Sequence, residues 1–126
     1  MKVLLDTQIF LWFVADAPHL TKKMRTMIDD ADEVFVSAAS IWEATIKSAW
    51  GKLDADPEAL VAAIGESGFV ELPVRAAHAA AVAGLPRHHR DPFDRLLVAQ
   101  AVSEPLHLAT ADRALRRYSA ELVQVF

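Results

Sequence analysis

At 126 residues the chain is about one domain long, and with 53% hydrophobic residues and a mean hydropathy of +0.20 it is not a disordered protein. It has no cysteine, which excludes a disulfide scaffold, an iron–sulfur cluster, a thiolate zinc site and a thiol nucleophile. Its 17 acids against 13 bases give a net charge of -4, so bulk charge argues against general nucleic-acid binding; a site where a cation supplies positive charge locally is not excluded.

The opening MKVLLDTQIFLWFVADA imitates a signal peptide. Asp6 interrupts it, however, and its longest clean apolar run, Ile9 to Ala15, is seven residues, against the ~20 that a spanning helix needs. A soluble, uncleaved, cytoplasmic protein with no membrane association is expected. Lys2 to Leu5 reads as a strand and Gln8 to Val14 as a helix. Thr21 caps a second helix with Met24, Met27 and Ile28 on one face. Glu33 to Val36 is a strand, followed by a helix from about Ala39 to Trp50 that Gly51 stops. Asp56-Pro57 and Asp91-Pro92 each open a helix, since Pro is favoured at the first helical position. Between them lie a weak strand, Phe69 to Leu72, and an Ala-rich helix, Arg75 to Ala83. Leu106 to Ala109 and Leu122 to Phe126 are the last strands, around a short helix at Arg113 to Tyr118. This alternation predicts one α/β domain over residues 1–126, with a central parallel sheet flanked by helices on both faces.

Four acids fall in one kind of place. Asp6 follows the first strand, Glu43 lies in the early turns of the helix after the second, Asp94 in the first turn of the Asp91-Pro92 helix, and Asp112 after the LAT strand. In a parallel sheet these points share one edge, where such folds bind ligands. Each acid also has a local reading. Asp6 and Asp112 suit N-caps, Ser40 to Glu43 fits a capping box, Glu43 can pair with Lys47, and Asp94 suits the helix dipole. Four charges ~6 Å apart would repel by roughly 3 kcal/mol per pair at an effective dielectric of ~20. That is on the order of 15 kcal/mol in all, comparable to the stability of a small domain. Such a cluster takes up protons, spreads, or holds cations. Hard oxygen donors suit Mg²⁺ or Mn²⁺, which supports phosphodiester hydrolysis. Without these four acids, 13 acids face 13 bases.

The segments LLDTQIFLW, SAASIWEATIK, HRDPFDRLLVAQA and LATAD, in this order, resemble the PIN-domain ribonucleases, and most nearly the VapC-like toxins of toxin–antitoxin pairs. The resemblance implies a PIN fold and an endoribonuclease that uses Mg²⁺ or Mn²⁺ to cut single-stranded regions of RNA. It implies Asp6 and Asp94 as central metal ligands, with Ala99 and Ala101 in the family's spacing after Asp94. It implies Glu43 as a ligand or an assistant through water, and Asp112 as holder of a second ion or a water. Thr7 and Thr110 would orient carboxylates. Gln8 stands where many members carry Asn, His or Ser. A homodimer is implied, silenced by an antitoxin whose C-terminal segment lies in a groove expected near the first helices.

Asp91 reads as the cap on Pro92 rather than a ligand. Lys47, Arg87, Arg90 and Arg113 are candidate RNA contacts; an ion pair with Glu43 competes for Lys47, and solvated faces for the arginines. His88 and His89 lack the helical i, i+4 spacing of metal ligands, and His78 reads as packed or at the surface. The stripe Trp42, Ile46, Trp50 and the aromatics Phe10, Trp12 and Phe13 exceed what one sheet-facing stripe needs. Packing against other helices is the expected use of the surplus, and a partner patch the other. A response-regulator receiver fails for want of an acidic pair after the first strand and a lysine after Lys52; a haloacid-dehalogenase-like phosphatase fails at Gln8. A PIN nuclease for RNA processing or DNA, outside a toxin–antitoxin pair, and a non-catalytic PIN-like binding module remain as alternatives.

Overall fold

The computed structural model describes residues 1–51 and 53–126. Five parallel strands form one sheet in the order β3-β2-β1-β4-β5: β1 Lys2–Leu5, β2 Glu33–Ser37, β3 Val70–Leu72, β4 His107–Thr110 and β5 Val123–Val125. The helices are α1 Thr7–Ala15, α2 Lys22–Asp30, α3 Ala38–Ala49, α4 Pro57–Glu66, α5 Ala76–Ala81 and α6 Pro92–Ser103. Two 3-10 turns, Val82–Gly84 and Arg113–Arg117, complete the chain. The α/β reading holds, with small shifts at element ends.

β1 lies at the centre and is buried on both faces, which is why Val3 to Leu5 is a continuous apolar run rather than an alternating one. Val3 and Leu5 join a core with Ile9, Phe10, Met24, Ile28, Leu60 and Ile64 from α1, α2 and α4. Leu4 joins a second core on the opposite face, with Leu97, Val98 and Ala101 of α6 and Leu108 and Leu115. The period-2 geometry of a strand thus divides one sequence run between two layers.

The helix starts are chemical. The Thr21 hydroxyl accepts from the Met24 amide, as expected. The Asp56 and Asp91 carboxylates cap α4 and α6 ahead of their prolines. α3 corrects the sequence reading. β2 runs on to Ser37, so Ser37 is the N-cap and accepts from Ala39 N at 3.0 Å. Ser40 is already inside the helix, and Ser40 to Glu43 is no capping box. Gly51, at φ 70°, follows the end of α3 in the left-handed region that glycine tolerates.

The aromatic stripe is a second correction. Phe10 is buried, and Trp12 and Phe13 pack half-buried on the same core. Trp42 and Trp50, expected to pack between helices, are 61% and 69% exposed. Trp42 meets Phe93 edge-on at 5.1 Å, and with Ile46 and Leu96 they line an apolar cavity of about 440 Å³ between α3, α5 and α6. The reason is that α3 spends its other face on the sheet and α1, through Ala39, Ser40 and Ala44. Among the described residues, no helix is long and apolar enough to cross a membrane.

The sheet order places the site. The chain steps outward from β1 through β2 to β3, then returns to the far side of β1 with β4 and β5. The reversal falls between β1 and β4, and a crevice opens at their carboxyl ends.

Candidate active site

Asp6 leaves the end of β1 and caps α1. Its Oδ1 accepts from Ile9 N at 2.8 Å, and its Oδ2 accepts from the Thr110 hydroxyl at 2.6 Å. Thr110 in turn accepts from Asp112 N at 3.0 Å, which ties the ends of β1 and β4 together. Glu43 enters from α3, Asp94 from the first turn of α6, and Asp112 from the start of the second 3-10 turn, where it accepts from Ala114 N. All four line one cleft of about 310 Å³, with Thr7, Gln8, Lys47 and Asp91. Residues 106 positions apart in the chain, Asp6 and Asp112, are neighbours here.

Cap and cleft are not rival roles for Asp6: one oxygen serves the helix, and the carboxylate as a whole lines the cleft. Thr7 is buried and donates to the Ser40 hydroxyl at 2.9 Å, joining α1 to α3 behind the cleft. Glu43 is 5% exposed. Its Oε2 binds Lys47 Nζ at 2.7 Å, while Oε1 is buried with no hydrogen-bond partner. Lys47 therefore makes the ion pair. Asp91 caps α6 through Phe93 N and Asp94 N, and also contributes charge to the cleft wall.

The electrostatics show what this convergence costs. Burial pushes the Asp94 carboxyl up to about 7, and the charges of Asp91, Asp6 and Glu43 push the same way against a weaker pull from His89. Burial also raises Asp6, with a further push from Glu43; the hydrogen bonds from Thr110, Ile9 and Ala111 only partly offset it. Burial opposes the Lys47 charge, but the hydrogen bond and charge of Glu43, with Asp91 and Asp94, outweigh it and hold its pKa above the ordinary value. Raised carboxyl pKa values are what desolvation plus like-charge repulsion produce in an acidic cluster short of positive charge.

His89 was not read from the sequence as part of this site. Its Nδ1 accepts from Asp91 N at 3.0 Å. An accepting ring nitrogen carries no hydrogen, so the neutral ring holds its proton on Nε2. That Nε2 lies 2.9 Å from Asp112 Oδ2 and 3.6 Å from Asp94 Oδ2. His89 thus faces the acids as a donor, and His89, Asp94 and Asp112 form a tight group whose facing atoms all lie within 4.8 Å. The missing signal is tertiary: the loop before α6 is folded back by the His89 amide, which donates to the Tyr118 hydroxyl at 3.0 Å. Arg87 and Arg90 line a separate cavity that His89 also lines, and Arg113 is exposed on its 3-10 turn. His78 is buried, with Nε2 2.7 Å from Glu104.

The donor set fits a hard divalent cation. It consists of carboxylate oxygens, one of them buried without a partner at Glu43, and the nearby imidazole presents N–H rather than a lone pair.

The PIN domain profile matches residues 3–121. The chain belongs to the PIN domain family. Within it the chain is VapC-like. It is 30% identical over 125 residues to Ribonuclease VapC22 of Mycobacterium tuberculosis, covering 92% of this chain and 91% of that one. Solved structures share the fold. VapBC2 from Rickettsia felis, bound to a DNA fragment from their promoter, superposes with a TM-score of 0.73 at 14% identity over 99% of this chain and 98% of that one. FitAcB from Neisseria gonorrhoeae gives 0.67 at 19% identity, over 96% and 95%. The PIN fold expected from the motifs is the fold found.

Proposed function

We propose that this PIN domain is a Mg²⁺- or Mn²⁺-dependent endoribonuclease, the toxin of a toxin–antitoxin pair, that hydrolyses phosphodiester bonds in single-stranded regions of RNA. The observation that carries the reading is the convergence of Asp6, Glu43, Asp94 and Asp112 from four separate elements in one cleft. The name of the 30% identical relative supports the reaction class, and the complexes named among the structural neighbours support an antitoxin partner.

Asp6 and Asp94 would hold the ion, with Glu43 beside them and Asp112 holding a second ion or a water. A bound ion there supplies Lewis-acid polarisation of a phosphoryl oxygen and neutralises developing charge. The chain's own residues supply orientation. Thr110 fixes the Asp6 carboxylate, His89 fixes Asp112, and Lys47 holds one Glu43 oxygen and leaves the other unpaired. Gathering these groups from rigid strand ends and helix starts reduces reorganisation during reaction.

Two apolar surfaces suit the expected partners. A second copy of this chain would cover the exposed Trp42, Phe93 and Trp50 face. A groove of about 230 Å³ along α1 and α4, lined by Leu11, Val14 and Leu60, suits the antitoxin segment.

The test is cleavage of labelled single-stranded RNA by antitoxin-free protein in Mg²⁺, Mn²⁺ and EDTA. Cutting should require the metal, fall at least ~100-fold with Asp94→Asn, and largely survive Asp91→Asn, which keeps the α6 cap. Cutting in EDTA, or an Asp94→Asn variant as active as wild type, would overturn the reading.

A further inference from the structure

Arg87, His89, Arg90 and Arg95 surround a cavity of about 490 Å³ beside the acidic cleft. No carboxylate lines it. None of the three arginines forms an ion pair among the described residues. Arg95 is half-buried and locked in place: Nη2 donates to the carbonyls of Val82 and Leu85 at 3.1 and 3.2 Å, and Nε is buried with no hydrogen-bond partner. A cation in this position has lost part of its hydration without gaining a counter-charge. Its neighbours add to the deficit rather than relieve it. In a chain of net charge -4 this is a local concentration of the opposite sign.

His89 links the two. It lines this cavity, and its Nε2 lies 2.9 Å from Asp112 Oδ2 and 3.6 Å from Asp94 Oδ2, both acids of the cleft. An anion in the arginine cavity therefore sits next to the cleft where the scissile phosphate would lie. Guanidinium groups recognise phosphate through paired N–H donors, and a pre-positioned guanidinium loses little entropy in doing so. We propose that the cavity of Arg87, Arg90 and Arg95 is a phosphate subsite, which takes the backbone phosphate flanking the one cut at the acidic cleft. The assignment deepens the nuclease reading and rests on it for the identity of the strand. A nucleic-acid strand fits better than an acidic peptide, because its phosphates repeat along the backbone. One can occupy the arginines while its neighbour meets the metal-charged cleft. The arginines also give the strand a hold that needs no metal.

The test is fluorescence anisotropy of a labelled single-stranded RNA in EDTA, over a salt series. Wild type is compared with the Arg87→Ala/Arg90→Ala pair and with Arg95→Ala, each checked by thermal melt. Because Arg95→Ala also removes two hydrogen bonds to carbonyls, the exposed pair keeps the test open if it unfolds. A Lys22→Ala/Lys23→Ala pair on α2, which lines neither cavity, removes the same charge elsewhere. The expected result is about tenfold weaker binding for the arginine variants and not for the lysine pair. The slope of log affinity against log salt should drop by about 0.7 for the lost phosphate contact. In Mn²⁺, wild type should cut a dinucleotide bearing one extra flanking phosphate faster than one without it, and the arginine pair should cut both alike. Unchanged RNA affinity and salt slope would overturn the subsite, as would equal loss in the lysine pair. So would a loss confined to binding of an acidic peptide, which would assign the cavity to a protein partner. The binding arm does not need turnover. Arginine-dependent binding by a protein that never cuts would keep the subsite and remove the nuclease reading. Normal cutting with normal binding in the variants would do the reverse.

Discussion

Asp94 is the residue on which the electrostatics of the cleft converge. The unfolded chain loses this proton near 3.8, whereas the fold keeps it up to about 7. Between those values the native state binds more protons, so metal-free stability should fall as pH rises from about 4 to about 7. Asp94→Asn should flatten that slope and melt a few degrees (~3 °C or more) above wild type at pH 7.5 in EDTA. Added Mn²⁺ should raise the wild-type melting temperature and leave the variant unmoved. A variant less stable than wild type in EDTA at that pH would mean that Asp94 is not repelled by its neighbours. His89 reaches the same cluster through its hydrogen bond to Asp112, with Nε2 3.6 Å from Asp94. His89→Ala should weaken Mn²⁺ binding about tenfold by titration, and His89→Gln, which keeps a side-chain N–H, should recover part of it. If His89 were itself a ligand, the alanine variant would lose Zn²⁺ affinity far more steeply than Mn²⁺ affinity.

At the scale of elements, the caps and the cleft are built from the same residues. Asp91 holds the first two free amides of α6 and so sets where Asp94 points. Asp91→Ala should cost about 1 kcal/mol by chemical denaturation, and Asp91→Asn much less, because Asn is an equal cap. Both should lower the Asp94 pKa by removing one neighbouring charge, which NMR titration would read. Ser37 should behave as a cap and Ser40 should not. Ser37→Ala frees the Ala39 amide, while Ser40→Ala removes only the acceptor of the Thr7 hydroxyl. Loss of stability on Ser40→Ala alone would contradict that division. The serine roles were not legible in the sequence, because Ser37 and Ser40 both precede helical residues and S-x-x-E fits the second. The choice was made by the β2–β3 register, which pairs Ser37 with Leu72 and keeps it in the strand.

Across the whole molecule, the apolar surplus is not absorbed by the fold. The two cores lie on the two faces of the sheet, and the Trp42–Phe93 face lies outside both. If a second copy covers it, Trp42→Glu should convert a dimer to a monomer in sedimentation velocity while leaving the melting temperature of dilute protein almost unchanged. A wild-type monomer at tens of micromolar would rule out that use of the face.

Strand and helix order, the parallel α/β class and the caps at Asp6, Thr21, Asp56 and Asp91 were legible in the sequence, because hydrophobic period, Asp-Pro pairs and capping chemistry act over a few residues. The four acids were also legible, since each sits at a strand end or helix start that local pattern marks. What no local pattern carries is distance across the sheet. Only the strand order, with its reversal between β1 and β4, brings Asp6, Glu43, Asp94 and Asp112 into one cleft. The same packing turned His89 towards the acids, turned Arg95 towards Arg87 and Arg90, and left Trp42 facing out. Those contacts join residues from separate elements, and their geometry exists only once the layers have closed.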